Sequence, residues 1–530
     1  MNNKLTSWDA TSLLLSIPVA LPIIAVLSGL LTVQNELWDH LASTVLSQYF
    51  VNTLLLMLLV GAISVCIGVP TAWLTSRYQF PFSRLLPMLL VLPLASPAYV
   101  VGYVYADLLD YSGPLQTWLR ASWDLSPLPP IRSLPGAALV ISFVLYPYIF
   151  LLARVSFSQQ AVNNIFAAKT LGAGPLRIFF QIVLPIARPA ILGGLALVLM
   201  ETVADYGVVS HYGVQTFTTG IFRTWFAMGE PGGALQLAGC LFLIAALLVI
   251  LEEISRRGQQ TNPVAPIPAR SQKLCGWRAW LASMACLFPV LVGFVIPVTS
   301  LSINALAHGD NLDAADLFEL ITNTLLVASS AAAVCMLCAT WLAYSDRRSR
   351  HRLVKSGIRL ATLGYAIPGT VLAVGLLQQL SSFDRSLATF VLENFDLNIG
   401  LLLTGSLAGL ITVYVARFLT VAFNGIQSSL KQINARYDEV AGTLGAQPNR
   451  ILRQIHLPLI IPGLGSAFLI VLVDAIKELP ATLVLRPFNF ETLATRVYRL
   501  ASDERLAEAS TAAIVIVLVG LLPTFLLSKR

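Results

Sequence analysis

Four carboxylates lie inside apolar runs, where charge is costly and usually faces a bundle interior or a water-filled cavity. Glu201 and Asp205 are four residues apart, a spacing that puts both on one face of a fifth helix. Adding 273 to each number gives Asp474 and Glu478, acids again, on an eleventh helix. Glu201 lies 12 residues past Pro189, or about 18 Å at helical rise, at or beyond mid-membrane. Two roles are open to these groups. Carboxylates suit a hard cation, which prefers oxygen ligands. They also build ion-pair or hydrogen-bond networks that steady a bundle or its gate, and Lys477 beside Glu478 favours that role in the later pair.

The same offset governs a longer string. Residues 168–189 read AKTLGAGPLRIFFQIVLPIARP, and 441–462 read AGTLGAQPNRILRQIHLPLIIP. Gly172, Pro175, Arg177, Gln181, Ile182, Leu184, Pro185 and Pro189 return as Gly445, Pro448, Arg450, Gln454, Ile455, Leu457, Pro458 and Pro462. The spacing predicts a helix over 165–171 and 437–444 that a glycine just past its C-cap ends. Pro175 and Pro448 then open a second helix, where proline is well tolerated. Leu-Pro at 184–185 and 457–458 is expected to break that helix and turn the chain back. Each copy becomes a short elbow with mixed apolar and basic faces, and two matched elbows suggest a two-fold protein partner.

The elements that carry these residues are membrane helices. The 530 residues are 56% hydrophobic and 12% charged, with a mean hydropathy of +0.75, whereas soluble chains carry about 25% charged residues. Apolar runs of about twenty residues recur, each long enough to span as a helix. Barrel strands would be about ten residues long and alternate in polarity. The fold class is therefore all-α and polytopic. Twelve helices are expected near 12–33, 50–74, 86–107, 134–154, 189–211, 234–253, 279–300, 321–344, 357–380, 399–423, 462–485 and 508–527, with Pro93, Pro97, Pro297 and Pro368 as kinks. The run Leu13 to Val33 reads as a retained helix, not a removed signal peptide.

The repeat divides the chain into a first half over 1–254 with its polar loop at 155–188, a Pro-rich tether over 255–277, and a second half over 278–530 with its loop at 424–461. With both termini in the cytoplasm, 25 of the 34 lysines and arginines fall in inner segments. Arg417 is among those 25, and both elbows then face the cytoplasm. The net charge of +7 reads as topology and not as nucleic-acid binding. Acidic outer loops suggest ordinary solvation, a docking face for an external protein, or a field that attracts cations. Cys335 and Cys338 share a helix face, as small residues at a helix contact do. No disulfide and no resident metal are expected, and five scattered histidines give an enzyme no site.

The pattern E-A-A-x3-G-x9-I-x-L-P is the signature of permease subunits of bacterial ABC importers. Glu439-Val440-Ala441, Gly445, Ile455, Leu457 and Pro458 resemble it closely. The first copy has Phe166-Ala167-Ala168, Gly172, Ile182, Leu184 and Pro185, so Phe166 stands where the pattern has its acid. The resemblance implies the type I importer permease fold, with two pseudo-symmetric six-helix halves. It also implies that the elbows are coupling helices, each seated in a cleft of an ATP-binding subunit. Ala167, Ala168, Gly172, Pro175, Arg177, Ile182, Leu184 and Pro185 would form one contact. Glu439, Ala441, Gly445, Pro448, Arg450, Ile455, Leu457 and Pro458 would form the other.

The chain lacks G-x-x-x-x-G-K-[ST], so ATP and Mg are expected on two copies of a partner ATPase, with a solute-binding protein on the outer face. One fused chain would serve each transporter, in the inner membrane. Residues 96–105, 201–207, 213–226, 477–487 and 496–509 look like the fused ferric-iron branch, and the resemblance to the importer family implies that the fifth helices line the translocation path. Thiamine, polyamine and phosphonate importers share parts of these stretches. A secondary transporter with pseudo-symmetric halves is the alternative of another class. Phenolates bind ferric iron, but Tyr99, Tyr103, Tyr105 and Tyr111 are expected to form an interfacial aromatic belt.

Overall fold

The computed structural model describes residues 7–31, 35–124, 128–159, 168, 170–256, 272–308, 314–349, 351–434 and 436–528. Most of the expected tether, and Phe166 and Ala167 of the first elbow, lie outside the described residues.

Long helices dominate, as the apolar runs require. Eight are long and apolar enough to cross a membrane: Leu46–Arg77, Leu134–Ser158, Leu176–Ala204, Pro231–Glu252, Trp277–Ala307, Ala314–Arg348, Leu407–Lys431 and Pro448–Lys477. Two bent pairs, Trp8–Ile17 with Val19–Gly29 and Leu86–Ala95 with Ala98–Trp123, bring the number to ten if each is one span. Leu506–Leu521 is a shorter apolar helix. The expected count of twelve is therefore not reached among the described residues.

Proline and glycine account for most departures from the expected spans. The run at 86–107 turns by 88°, because a 3₁₀ turn at Leu92–Ala95 leads into an extended Pro97 before helix Ala98–Leu109. The run at 357–380 repeats this break. Helix Arg352–Ala361 is followed by a 3₁₀ turn at Gly364–Ala366, an extended Pro368 and helix Gly369–Phe395. The run at 399–423 starts later, at Leu407. Gly400 and Gly405 have positive φ, and buried Asp384 accepts hydrogen bonds from the amides of Leu403 and Thr404, so an ordered loop replaces the first turns.

The chain forms two compact units that are interleaved along the sequence. One comprises Met1–Asp39, Ile221–Phe242 and Leu312–Arg496, and is called the Glu478 unit below. The other comprises His40–Gly220, Leu243–Asn311 and Val497–Arg530, the Asp205 unit.

In the Asp205 unit, Leu46–Arg77, Leu134–Gln159 and Leu184–Ala204 pack as a trio. Small residues allow close crossings. A Cβ at Gly194 would lie 2.7 Å from the Cα of Ile149, and one at Gly68 would lie 3.0 Å from its Cβ. Helices Ile296–His308 and Leu506–Ser528 pack together in the same unit. In the Glu478 unit the matching trio is Ala314–Arg348, Leu407–Lys431 and Leu457–Lys477. Helix Ser7–Gly29 lies on Gly369–Phe395, where Gly375 admits the carbonyl of Pro22, and on Arg352–Ala361. Cys335 is buried in this trio with its Sγ 3.9 Å from the carbonyl of Val415, a helix contact as expected.

Candidate functional site

The two elbows are built alike. Helix Arg436–Thr443 ends in a turn in which Gly445 has φ +77°, and the amide of Ala446 reaches back to the carbonyl of Ala441 at 3.0 Å. In the first copy Gly172 has φ +78°, and the amide of Ala173 bonds to the carbonyl of Ala168 at 3.0 Å. Both are the six-to-one closure that a left-handed glycine permits after a helix. Pro175 and Pro448 start the next helix. Arg177 donates to Gln181 Oε1 at 2.9 Å, and Arg450 donates to Gln454 Oε1 at 2.8 Å. Leu171 and Leu444, each directly before its glycine, are 86% and 81% exposed. An open cleft lined by Gly445, Gln447, Asn449, Arg450, Arg453 and Gln454 runs beside the second tip.

Leu-Pro does not break either helix. A π-helical turn at Phe179–Val183 leads directly into helix Leu184–Ala204, and one at Leu452–His456 leads into Leu457–Lys477. Proline lacks the N–H that would bond back one turn, and the wider π turn before it accommodates that missing donor. Ile182 and Ile455 lie in these turns, half-buried. Each elbow is thus a turn leading directly into a membrane helix.

The carboxylates are not placed as their spacing suggested. Helix Leu184–Ala204 stops before Asp205, which is extended, so Glu201 and Asp205 do not share a helix face. Asp205 Oδ1 instead accepts from the amides of Val208 and Val209, both at 3.1 Å, and caps the short helix Gly207–His211. Glu478 is equally extended, after Lys477. Its Oε1 accepts from the amide of Ala481 at 3.2 Å and caps Pro480–Leu485. Carboxylates serve well here because they take up the orphan N–H groups of a first turn. Glu201 and Asp474 remain on the last turns of the long helices, half-buried.

The cation that pairs with Glu478 is Arg417, at 3.1 Å, with 7% of Arg417 and 5% of Glu478 exposed. The expectation that placed Arg417 at an inner surface fails, because the side chain turns into the helix trio. Gly369 leaves room for the pair: a Cβ there would lie 2.2 Å from Arg417 Nη1 and 2.5 Å from Glu478 Oε1. Tyr414 and Thr482 share a 2.5 Å hydrogen bond beside it.

Residues 335–530 match the family of binding-protein-dependent transport system inner membrane components. The Fe(3+)-transport system permease protein FbpB 2 of Haemophilus influenzae is 27% identical over 488 residues, spanning 90% of this chain and 89% of that protein. The molybdenum transport system permease protein ModB of the same organism is 30% identical over 209 residues, 37% of this chain and 88% of its own length. The sulfate transport system permease protein CysW of Escherichia coli is 34% identical over 159 residues, 30% of this chain and 53% of its own. The chain belongs to this permease family. It is a multi-pass inner-membrane transport subunit.

The permease holds its two elbows differently. In the Glu478 unit, Arg347 pairs with Asp438 Oδ2 at 2.7 Å and donates to the carbonyls of Leu430 and Ile433. His456, fully buried, sits 2.5 Å from Asp438 Oδ1. Tyr344 donates to the carbonyl of Pro448, and Trp8 stacks on Trp341 at 3.8 Å against Leu452. In the Asp205 unit, Trp73 meets Phe157 and Phe179, each at 5.4 Å, and packs the described part of the elbow with aromatic rings. The sequence carried a signal for this difference: where the second copy has Asp438 and His456, the first has Ile165 and Val183. Sequence reasoning also missed a pair of threonines. Thr53 Oγ1 accepts from the amide of Phe217, and Thr324 Oγ1 accepts from the amide of Leu493. Asn-Thr-Leu-Leu at 52–55 and 323–326 marks them, at an offset of 271.

Proposed function

We propose that this permease forms the membrane pathway of an ATP-driven importer of ferric iron. One fused chain would supply both halves, with an ATP-binding subunit at each elbow and a solute-binding protein on the outer face. ATP and Mg belong to the partner, since the chain carries no phosphate-binding glycine loop. The lysine and arginine distribution supports cytoplasmic termini and cytoplasmic elbows.

The observation that carries ATP coupling is the pair of left-handed glycines at Gly172 and Gly445. Each ends an exposed tip whose return path is the membrane helix that stops at Asp205 or Glu478. A push on either tip is delivered along one stiff element to the helix break. The observation that favours iron is the extent of likeness. Similarity to the Fe(3+)-transport relative runs along 90% of the chain, whereas the molybdenum and sulfate relatives align with 37% and 30% of it.

Substituting Leu171→Glu or Leu444→Glu tests the coupling assignment. Both variants should insert normally, lose ATPase subunit on co-purification and lose ferric uptake. Uptake that survives both changes and collapses with a protonophore would identify a secondary transporter instead.

A further inference from the structure

Four tyrosines gather beside Asp205 within one compact unit. Tyr99 and Tyr103, on helix Ala98–Leu109, are 6% and 1% exposed, so they do not form an interfacial belt. Their rings are 5.8 Å apart. Tyr206, the N-cap residue of Gly207–His211, has its hydroxyl 3.1 Å from that of Tyr498, on helix Leu493–Ser502. The Tyr103 ring lies 4.7 Å from that of His211, on the short helix that Asp205 caps. Its own buried hydroxyl makes no hydrogen bond among the described residues. A buried hydroxyl without a partner is rare, because it forfeits its hydration. The second oxygen of Asp205 is likewise left out of the capping bonds, and the residue is half-buried.

The scaffold around the cluster is firm. Tyr212 donates to the carbonyl of Gly102 at 2.9 Å, and a Cβ at Gly102 would meet Val208 at 3.2 Å. Helix Ala98–Leu109 and the turn after Asp205 are thereby clamped together. Tyr105 points elsewhere and donates to the carbonyl of Val292.

The repeat supplies an internal comparison. At offsets of 271 and 273, Tyr99, Tyr103 and Tyr206 become Thr370, Val374 and Leu479, and Phe222 stands opposite Tyr498 at an offset of 276. The corresponding acid, Glu478, is held by Arg417. The phenol at the Glu478 break, Tyr414, is hydrogen-bonded to Thr482, and an acid that caps a helix there is neutralised by a cation. The Asp205 unit keeps several phenols and an acid, all hard oxygen donors.

We propose that Tyr103, Tyr206, Tyr498 and Asp205 form a transient ferric-ion site on the transport path; this rests on the ferric reading above. Each phenol that ligates the ion releases its proton to water or to the departing chelator. Iron stays ferric throughout. Three phenolates and the carboxylate would carry four negative charges against the ion's three, so release requires the phenols to take protons back from water as the ion leaves.

The test uses the full permease with its ATPase, in nanodiscs for titration with ferric nitrilotriacetate and, with the binding protein added, in sealed proteoliposomes for uptake. The wild type should develop a visible phenolate-to-iron charge-transfer band, which Tyr105→Phe retains. Tyr103→Phe and Tyr206→Phe should each weaken the band at least several-fold and slow radio-iron uptake by a similar factor, with assembly checked by size-exclusion chromatography. A wild type that imports iron yet shows no band, or a Tyr103→Phe/Tyr206→Phe protein with normal band and uptake, overturns the site and leaves the ferric reading intact. Failure of the wild-type complex to import iron, with import of an oxyanion instead, overturns both.

Discussion

Arg417 and Glu478 illustrate how much of this permease turns on single side chains. Removing one member of a buried pair strands the other, at a cost of about 3–5 kcal/mol, whereas replacing both with apolar residues is often neutral. Arg417→Met should therefore lower thermal stability markedly, and Arg417→Met/Glu478→Leu should recover most of the loss. Differential scanning fluorimetry on the purified protein reads both; equal losses in the single and double variants would argue against the pair. Gly369→Ala should resemble Arg417→Met, because its methyl would occupy the space of the guanidinium. The acids themselves were legible from their offset, but their partners were not. Arg417 lies 61 residues from Glu478, and no periodicity announces which helix face turns inward.

At the scale of elements, the glycine turns and proline starts were readable because each demands a particular backbone. The π turns were not, since their five-residue closure hides the helix break that Leu-Pro normally signals. A Cβ at Gly172 or Gly445 would meet nothing within 4 Å, so the requirement there is conformational alone. Gly445→Asn should retain coupling, while Gly445→Val should lose substrate-stimulated ATP hydrolysis with little change in global melting. Equal activity in the two variants would contradict the left-handed turn. A second element-level prediction concerns the turn at Glu504, where Arg132 donates from Nη1 at 2.6 Å. That hydrogen bond holds the Glu504 carboxyl below the usual carboxylate range. A depressed folded value stabilises above the ordinary value and is lost as pH falls through the depressed one. The melting difference between wild type and Glu504→Gln should be present at neutral pH and vanish in acid; a difference that persists in acid would exclude the bond as its cause. Half-exposure of the pair keeps the effect small.

For the whole molecule, duplication was the most legible feature, and divergence between the copies carries the functional content. The two elbows share geometry, yet one is tied by Arg347, Asp438 and His456 and the other is packed by aromatic rings. The two helix breaks share capping carboxylates, yet one acid is locked by arginine and the other faces tyrosines. The interleaving of the compact units could not be read from a linear repeat, since it depends on which neighbours a helix meets after folding. Reconstitution of the permease with its ATPase and binding protein decides whether ferric iron is the cargo of an ATP-driven pathway. Ferric-loaded binding protein should stimulate ATP hydrolysis several-fold over the unloaded protein, with iron accumulating inside the vesicles. Stimulation by a sulfate- or molybdate-loaded binding protein but not by the ferric form, or iron accumulation without ATP, would contradict the account.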